Sequence, residues 1–191
     1  MIQYRKDLIN YFVKIFNYES YLEIGVRDPS VTFDNIKIKH KEGVDLNEPA
    51  TYVMPSDDFF NSLDSSKKWD IILVDAGHER DQVKRDILNS LKHLTENGTI
   101  ICHDVNPYDP KKLHPDICGN AWEAFAELRM EREDLEMFTL PVNYLGVIRR
   151  GSQNLWKGEI RRTFKFLDKN RRDLMNEISV EKLYSRFGTP Q

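Results

Sequence analysis

Cysteine is scarce in this sequence. Cys102 and Cys118 are the only two among 191 residues, and they form neither a CxxC pair nor a zinc-ligand spacing. That disfavours a disulfide framework and a zinc finger. Cys102 closes an apolar run, which favours a buried, reduced thiol. Long hydrophobic runs are also lacking. Nothing approaches the ~20 apolar residues of a membrane helix, so no membrane partner is expected. The opening residues Met1-Ile2-Gln3-Tyr4-Arg5-Lys6-Asp7 lack the order of a secretory signal, and a cytoplasmic location is the expectation. Nor is there a basic excess. Lys and Arg number 28 against 31 Asp and Glu, for a net charge of −3, whereas nucleic-acid binders usually carry a clear positive surplus. No nucleic-acid partner is expected. The sequence has no internal repeat and no low-complexity linker. What is there, 40% hydrophobic and 31% charged residues, describes one globular domain long enough for a real core.

The chain is arranged around residues 69–104, WDIILVDAGHERDQVKRDILNSLKHLTENGTIICHD. Ile71-Ile72-Leu73-Val74 is apolar on both of its alternating faces, as a central parallel strand covered on both sides requires, and it ends in Asp75. Val83, Ile87, Leu88, Leu91 and Leu94 recur at three- and four-residue spacing, which predicts a helix. Asn97-Gly98 reads as its stop, with glycine in the left-handed conformation. A second apolar run, residues 99–102, ends in His103-Asp104. The pattern predicts a βαβ unit with acids at the carboxyl ends of both strands, the edge where open α/β sheets bind ligands.

Upstream, Tyr4, Leu8, Ile9, Tyr11, Phe12, Ile15 and Phe16 give a helical spacing over residues 3–17. Residues 21–26 read as a strand entering a turn at Gly25. Asp28-Pro29 suits a helix start, and that helix is expected to run to about residue 39. Gly43-Val44-Asp45 predicts a second strand ending in an acid, about twenty residues after Gly25, the spacing that puts a carboxylate on ribose hydroxyls in nucleotide-binding βαβ units. Residues 51–54 predict a third, short strand, with Ser56-Asp57-Asp58 capping a helix over residues 59–63. Residues 105–119 hold Pro107, Pro110 and Pro115 without a periodic apolar pattern. A loop this long without structure of its own is usually a lid or a binding loop. A helix over residues 121–130 is expected with Asn120 as its cap, then an antiparallel hairpin of residues 135–140 and 144–149. The tail, residues 155–187, reads as helical. Its plain reading is a solvated helix docked through its apolar side; the sharper one is a homodimer or acceptor surface.

The whole is a Rossmann-like, doubly wound α/β sheet, mostly parallel with a C-terminal antiparallel strand and helices on both faces. Its plan resembles the class I S-adenosylmethionine-dependent methyltransferases, and particular residues carry the resemblance. Leu22-Glu23-Ile24-Gly25 is similar to the family's first motif, an acid two residues before a glycine. Asp45 resembles the ribose-binding acid, and Ser56-Asp57 the short polar motif that meets the adenine. Val74-Asp75-Ala76-Gly77-His78 and His103-Asp104 resemble motifs of small-molecule O-methyltransferases related to macrocin-type sugar methyltransferases and cephalosporin hydroxylase-like proteins. The match spans about residues 21–150, which implies a donor-binding core there, an N-terminal helix over residues 1–20 and a helical extension over residues 151–191, all in one domain. The family's first motif normally has a second and often a third glycine; here Gly25 is followed by Val26-Arg27-Asp28-Pro29-Ser30. A pyrophosphate needs close backbone approach at several positions, so a methyl donor is favoured over NAD.

The resemblance implies donor contacts from Glu23, Gly25, Asp45, Ser56, Asp57 and Asp75. Methyl transfer to a hydroxyl needs a base, or a metal that lowers the hydroxyl's pKa. Asp75 and Asp104 end adjacent strands and suit a hard divalent cation such as Mg²⁺. In catechol-type O-methyltransferases the base lies three residues after the first metal acid, the offset His78 has from Asp75. Those enzymes place an Asn directly after the second acid; here Val105 stands there and Asn106 follows. Asp75, His78 and Asp104 are thus the catalytic candidates, with Asp75 and Asp104 as metal ligands. Plainer readings stay open: Glu23 in a structural salt bridge, Asp45 as a turn residue, Ser56-Asp57 as an N-cap, Asp75 as a helix cap, and His103 as a satisfied buried imidazole ahead of a base or a ligand. The expected function is an S-adenosylmethionine-dependent methyltransferase, O-directed on a small hydroxylated molecule such as a sugar or a natural-product or glycan precursor, with Mg²⁺ as a second cofactor in the metal-assisted version. An NAD(P)-linked oxidoreductase and a non-catalytic donor-binding module are the competing readings.

Overall fold

The apolar run that anchors the sequence also anchors the sheet. The computed structural model describes residues 1–190. Its strands are β1 (Ser20–Ile24), β2 (His40–Asp45), β3 (Tyr52–Val53), β4 (Trp69–Val74), β5 (Leu94–Cys102), β6 (Leu135–Thr139) and β7 (Gly146–Arg150). They form one sheet in the order β3-β2-β1-β4-β5-β7-β6. The first five run parallel, and β7 and β6 are antiparallel additions at one side. Ile24, Val44, Val74 and Cys102 pair in one row across four strands. The residues that follow them, Gly25, Asp45, Asp75 and His103, therefore emerge along a single edge.

Strand alternation explains the continuous apolar runs. Ile72, Val74, Ile100 and Cys102 face a core shared with α2 (Ser56–Ser62), α3 (Arg80–Lys92), α4 (Ala121–Glu131) and α5 (Phe164–Leu174). Ile71, Leu73 and Ile101 face the other core, closed by α1 (Arg5–Phe16) and α6 (Val180–Phe187). With helices on both faces, no strand position in the centre can be polar at low cost. On the second face Phe12, Phe16 and Phe187 pack ring to ring, and the Arg149 guanidinium lies 4.0 Å from the Phe16 ring centroid.

Several local expectations are corrected. Residues 28–39 do not form a helix. The Asp28 carboxylate instead accepts from Ser30 N and Oγ at 3.0 and 2.7 Å, a local turn that competes with helix formation, and only a 3₁₀ turn, Phe33–Asn35, follows. Ile36 and Ile38 are buried at alternate positions, a two-residue period that fits extended chain and not a helix. Asn97-Gly98 is not a helix stop. The helix ends at Lys92, and Leu94 pairs with Trp69 as the first residue of β5. Gly98 serves close approach instead: a Cβ there would lie 2.8 Å from the Asp70 carbonyl oxygen. Ser56 sits in the first turn of α2, with Pro55 as the N-cap. Asn120 is the N-cap of α4 as expected, but its side chain does not cap that helix; it accepts instead from Arg80 N, in the first turn of α3, at 2.7 Å. The tail is not one helical stretch; α5 and α6 are separate, and residues 151–163 are irregular.

Candidate functional site

A cleft of about 1000 Å³ runs along the carboxyl edge of the sheet. At one end lies the turn after β1. Gly25 has φ +93°, and a Cβ there would stand 2.4 Å from the Asp75 carbonyl oxygen. No other residue fits, because both the left-handed backbone and the contact exclude a side chain. The turn is tied to β2 by Asp45, whose carboxylate accepts from Arg27 N at 2.8 Å and from Asn47 N at 3.0 Å. Beyond Asp45, the cleft is lined by Leu46, Ser56, Asp57, Gln82 and Asp86. Ser56 Oγ donates to Asp86 Oδ1 at 2.7 Å, and Gln82 Nε2 donates to the same oxygen at 3.1 Å. Asp86 is fully buried and its other carboxylate oxygen has no partner. Burial pushes its pKa up to about 6, against the hydrogen bonds from Ser56 and Gln82.

Glu23 departs from its expected place. It is buried behind the cleft wall and does not line it. Its carboxylate takes a hydrogen bond from the Tyr21 hydroxyl at 2.6 Å rather than a salt bridge. Burial pushes its pKa up to about 8, more than the Tyr21 bond lowers it.

The other end of the cleft is built from charges. Asp75, following β4, lies 3.0 Å from Arg5 Nε and 3.0 Å from His103 Nδ1. His103 Nδ1 also lies 3.0 Å from Asp104 Oδ2. Neither the Arg5 Nε nor the His103 Nδ1 contact is aligned as a hydrogen bond, and His103 Nε2 is buried with no hydrogen-bond partner among the described residues. The imidazole expected to be satisfied is not. Burial acts against its charged form, but the two carboxylates prevail and hold its pKa at about 9. Asp104 Oδ2 faces His78 Nε2 at 3.2 Å, and the other Asp104 oxygen accepts from Cys118 Sγ at 3.2 Å. Burial of Asp104 is outweighed by His103 and His78, so its carboxyl stays well below the ordinary range. Asp104 has φ +59°, a conformation costly for a non-glycine residue and concentrated at functional sites.

The loop after β5 holds His78 from two sides. Pro115 O lies 3.0 Å from His78 Nδ1, and Asn120 N donates to His78 O at 3.0 Å. Gly119 makes this approach possible, since a Cβ there would lie 2.5 Å from the His78 carbonyl oxygen. The bond from Asp104, ahead of the opposing effect of burial, raises the His78 pKa above its ordinary 6.5. Asn106, the residue nearest the expected third metal ligand, turns away. It is fully buried, accepts from Arg171 Nη1 at 2.6 Å and donates to Glu177 Oε2 at 2.7 Å.

Of the residues singled out in the sequence, Gly25, Asp45, Ser56, Asp57, Asp75, His78 and Asp104 all line this cleft, and Glu23 does not. Asp75, His103 and Asp104 each offer a ligand atom within 4.8 Å of the others. That is a fit for a divalent cation once His103 gives up its Nδ1 proton, and the imidazole in the set suits a first-row transition metal better than Mg²⁺. Sequence reasoning missed Arg5, Gln82, Asp86, Tyr144 and Cys118. Gln82 and Asp86, both on α3, carried a signal only in being polar beside its buried positions; the others carried none.

Residues 33–105 match the family model of a methyltransferase domain. No curated protein matches the chain in sequence. Solved structures do. The SAH-bound Podospora anserina methyltransferase PaMTH1 is 18% identical, with 78% of each chain covered and a TM-score of 0.59. The O-methyltransferase TomG from Streptomyces achromogenes, involved in tomaymycin synthesis and solved with SAM, is 15% identical over 78% of this chain and 80% of its own, with a TM-score of 0.57. The MycE methyltransferase of the mycinamycin pathway, solved with Mg, SAH and mycinamycin VI, is 14% identical over 81% of this chain and 50% of its own, with a TM-score of 0.52. At such identities the likeness speaks for the fold.

Proposed function

We propose that this chain is a class I S-adenosylmethionine-dependent methyltransferase, a reading supported by the partial family match and the fold, and that it transfers the donor's methyl group to a hydroxyl oxygen of a small acceptor at the His78–Asp104 pair. One observation carries the reading. A histidine and two carboxylates stand at one end of a cleft whose other end has the glycine turn and strand-end acid suited to a nucleoside. Gly25, Asp45, Leu46, Ser56, Asp57 and Gln82 would hold S-adenosylmethionine along this edge, with Asp45 suited to ribose hydroxyls, and the donor would supply the methyl group at the charged end.

His78 takes the proton of the acceptor hydroxyl. The oxygen then attacks the methyl carbon in line, the carbon–sulfur bond breaks, and its electron pair returns to sulfur as S-adenosylhomocysteine leaves. Pro115 O and Asp104 Oδ2 face the two His78 nitrogens and favour the charged ring, whereas only the neutral ring can act as a base. The rate should therefore fall as pH drops through a value above 6.5. Asp104, ionised throughout, holds the ring in place. A divalent cation, when bound by Asp75, His103 and Asp104, would lower the hydroxyl's pKa and orient it.

The test is direct. The protein is incubated with S-adenosylmethionine and hydroxylated sugars and phenols, and products are identified by mass spectrometry. S-adenosylhomocysteine should raise the melting temperature and NAD should not, by linkage to the native state. A melting curve that answers NAD and ignores S-adenosylhomocysteine would refute the reading.

A further inference from the structure

Arg5, the first residue of α1, lines the cleft at its charged end. One of its donors, Nε, lies against Asp75 at 3.0 Å. Its terminal nitrogens Nη1 and Nη2 make no hydrogen bond to any of the described residues, and Asp75 is the one carboxylate among them that Arg5 pairs with. A lysine would neutralise Asp75 as well; what a guanidinium adds is a planar fork that matches carboxylate and phosphate oxygens two at a time.

Beside it stands Tyr144, in the turn between β6 and β7. Asn143 and Tyr144 have φ +46° and +56°, two successive left-handed residues without a glycine. For a bulky side chain this is an outlier that persists only when the surroundings impose it. They do. Arg5 N donates to Asn143 Oδ1 at 3.1 Å, and Val105 N donates to Tyr144 O at 3.1 Å. The strained turn is thus fastened to the residue that carries the guanidinium on one side and to the strand end that carries Asp104 on the other. Its effect is to hold the Tyr144 ring in the cleft, with Lys112 Nζ 5.9 Å from the ring centroid.

We propose that Arg5 and Tyr144 form an acceptor subsite for a small, ring-bearing hydroxy acid. The Arg5 fork takes the acceptor's carboxylate or phosphate, Tyr144 takes the face of its ring, and its hydroxyl then falls toward His78. The proposal rests on the methyltransferase reading of the same cleft and narrows the acceptor from any hydroxylated small molecule to an anionic one.

The test is a binding measurement on the protein loaded with S-adenosylhomocysteine. Calorimetry compares 3,4-dihydroxybenzoate with its neutral amide and glucose 6-phosphate with glucose, which separates a carboxylate from a phosphate. At least one anion should bind roughly tenfold or more tightly than its neutral partner, the scale of a charge-assisted pair. Arg5→Gln should erase that preference while still binding S-adenosylhomocysteine; Arg5→Lys, which keeps a cation beside Asp75, should keep part of it. Wild-type protein that shows no preference for either anion, or a preference that survives in Arg5→Gln, would overturn the proposal. Failure of wild type to bind S-adenosylhomocysteine at all would instead overturn the reading beneath it.

Discussion

The two ends of the cleft use the same residue type in opposite ways. At the end built around Gly25, Asp57 pairs with Arg85 at 3.3 Å, but three other acids meet neutral donors. Asp45 accepts from backbone N–H groups, Asp86 from Ser56 and Gln82, and Glu23, behind the wall, from Tyr21. At the reacting end Asp75 and Asp104 face Arg5, His103 and His78. Burial alone pushes a carboxyl toward its neutral form, and Glu23 and Asp86 follow it, to about 8 and about 6. Asp104 is buried as well and goes the other way because its neighbours are cationic. Position on a sheet edge says where an acid stands. Its chemistry is set by the groups that reach it from other elements.

The largest effect that would separate the two ends is loss of the base. His78→Ala should lower turnover about 10²–10⁴-fold, the usual worth of a positioned base, with S-adenosylhomocysteine affinity unchanged in calorimetry. A comparable loss of donor affinity would show that the ends are one unit. Next in size is a stability effect confined to the donor side. The folded-state pKa of Glu23 lies above its ordinary 4.5, so its contribution is fully present below about pH 4.5 and is lost as pH rises through about 8. Glu23→Gln keeps the shape without that loss and should exceed wild type in stability at pH 9 by several kcal/mol, on the order of 4. Denaturant midpoints that coincide at pH 9 would mean the carboxyl is solvated. The smallest effect is at the ribose position. Asp45→Ala should weaken S-adenosylhomocysteine binding by roughly 1.5–3 kcal/mol and leave the pH dependence of turnover alone; a shifted pH profile would blur the contrast between the ends.

The sheet and the strand-end acids were legible because both depend on short-range pattern. Continuous apolar runs mean two covered faces, and an acid directly after such a run lands on the ligand edge. Asp45, Asp75, His78 and Asp104 all came from that rule and from family motifs. Residues 28–39 were misread because Asp28 and Pro29 suit a helix start, while the deciding groups, the Ser30 hydroxyl and the alternation of Ile36 and Ile38, point elsewhere. Glu23 was placed in the site by its likeness to a family motif, yet its side chain is buried behind the wall against the Tyr21 hydroxyl. Arg5, Tyr144 and Cys118 could not have been found. Each reaches the reacting end from a distant part of the chain, Arg5 across 70 residues to Asp75, and nothing local marks that contact.

The packing of α6 on α1 bears on the order in which the protein can be completed. Tyr11 donates to Gly188 O at 2.8 Å, and Phe12 and Phe16 rest on Phe187. On the ribosome the strands that carry Gly25, Asp45, Asp75 and Asp104 all emerge before residues 180–188, while α1, made first, waits for them to cover its other side. The cleft edge can thus be assembled in a nascent chain whose α1 is still uncovered on its outer side, and that side is closed only when α6 has been made.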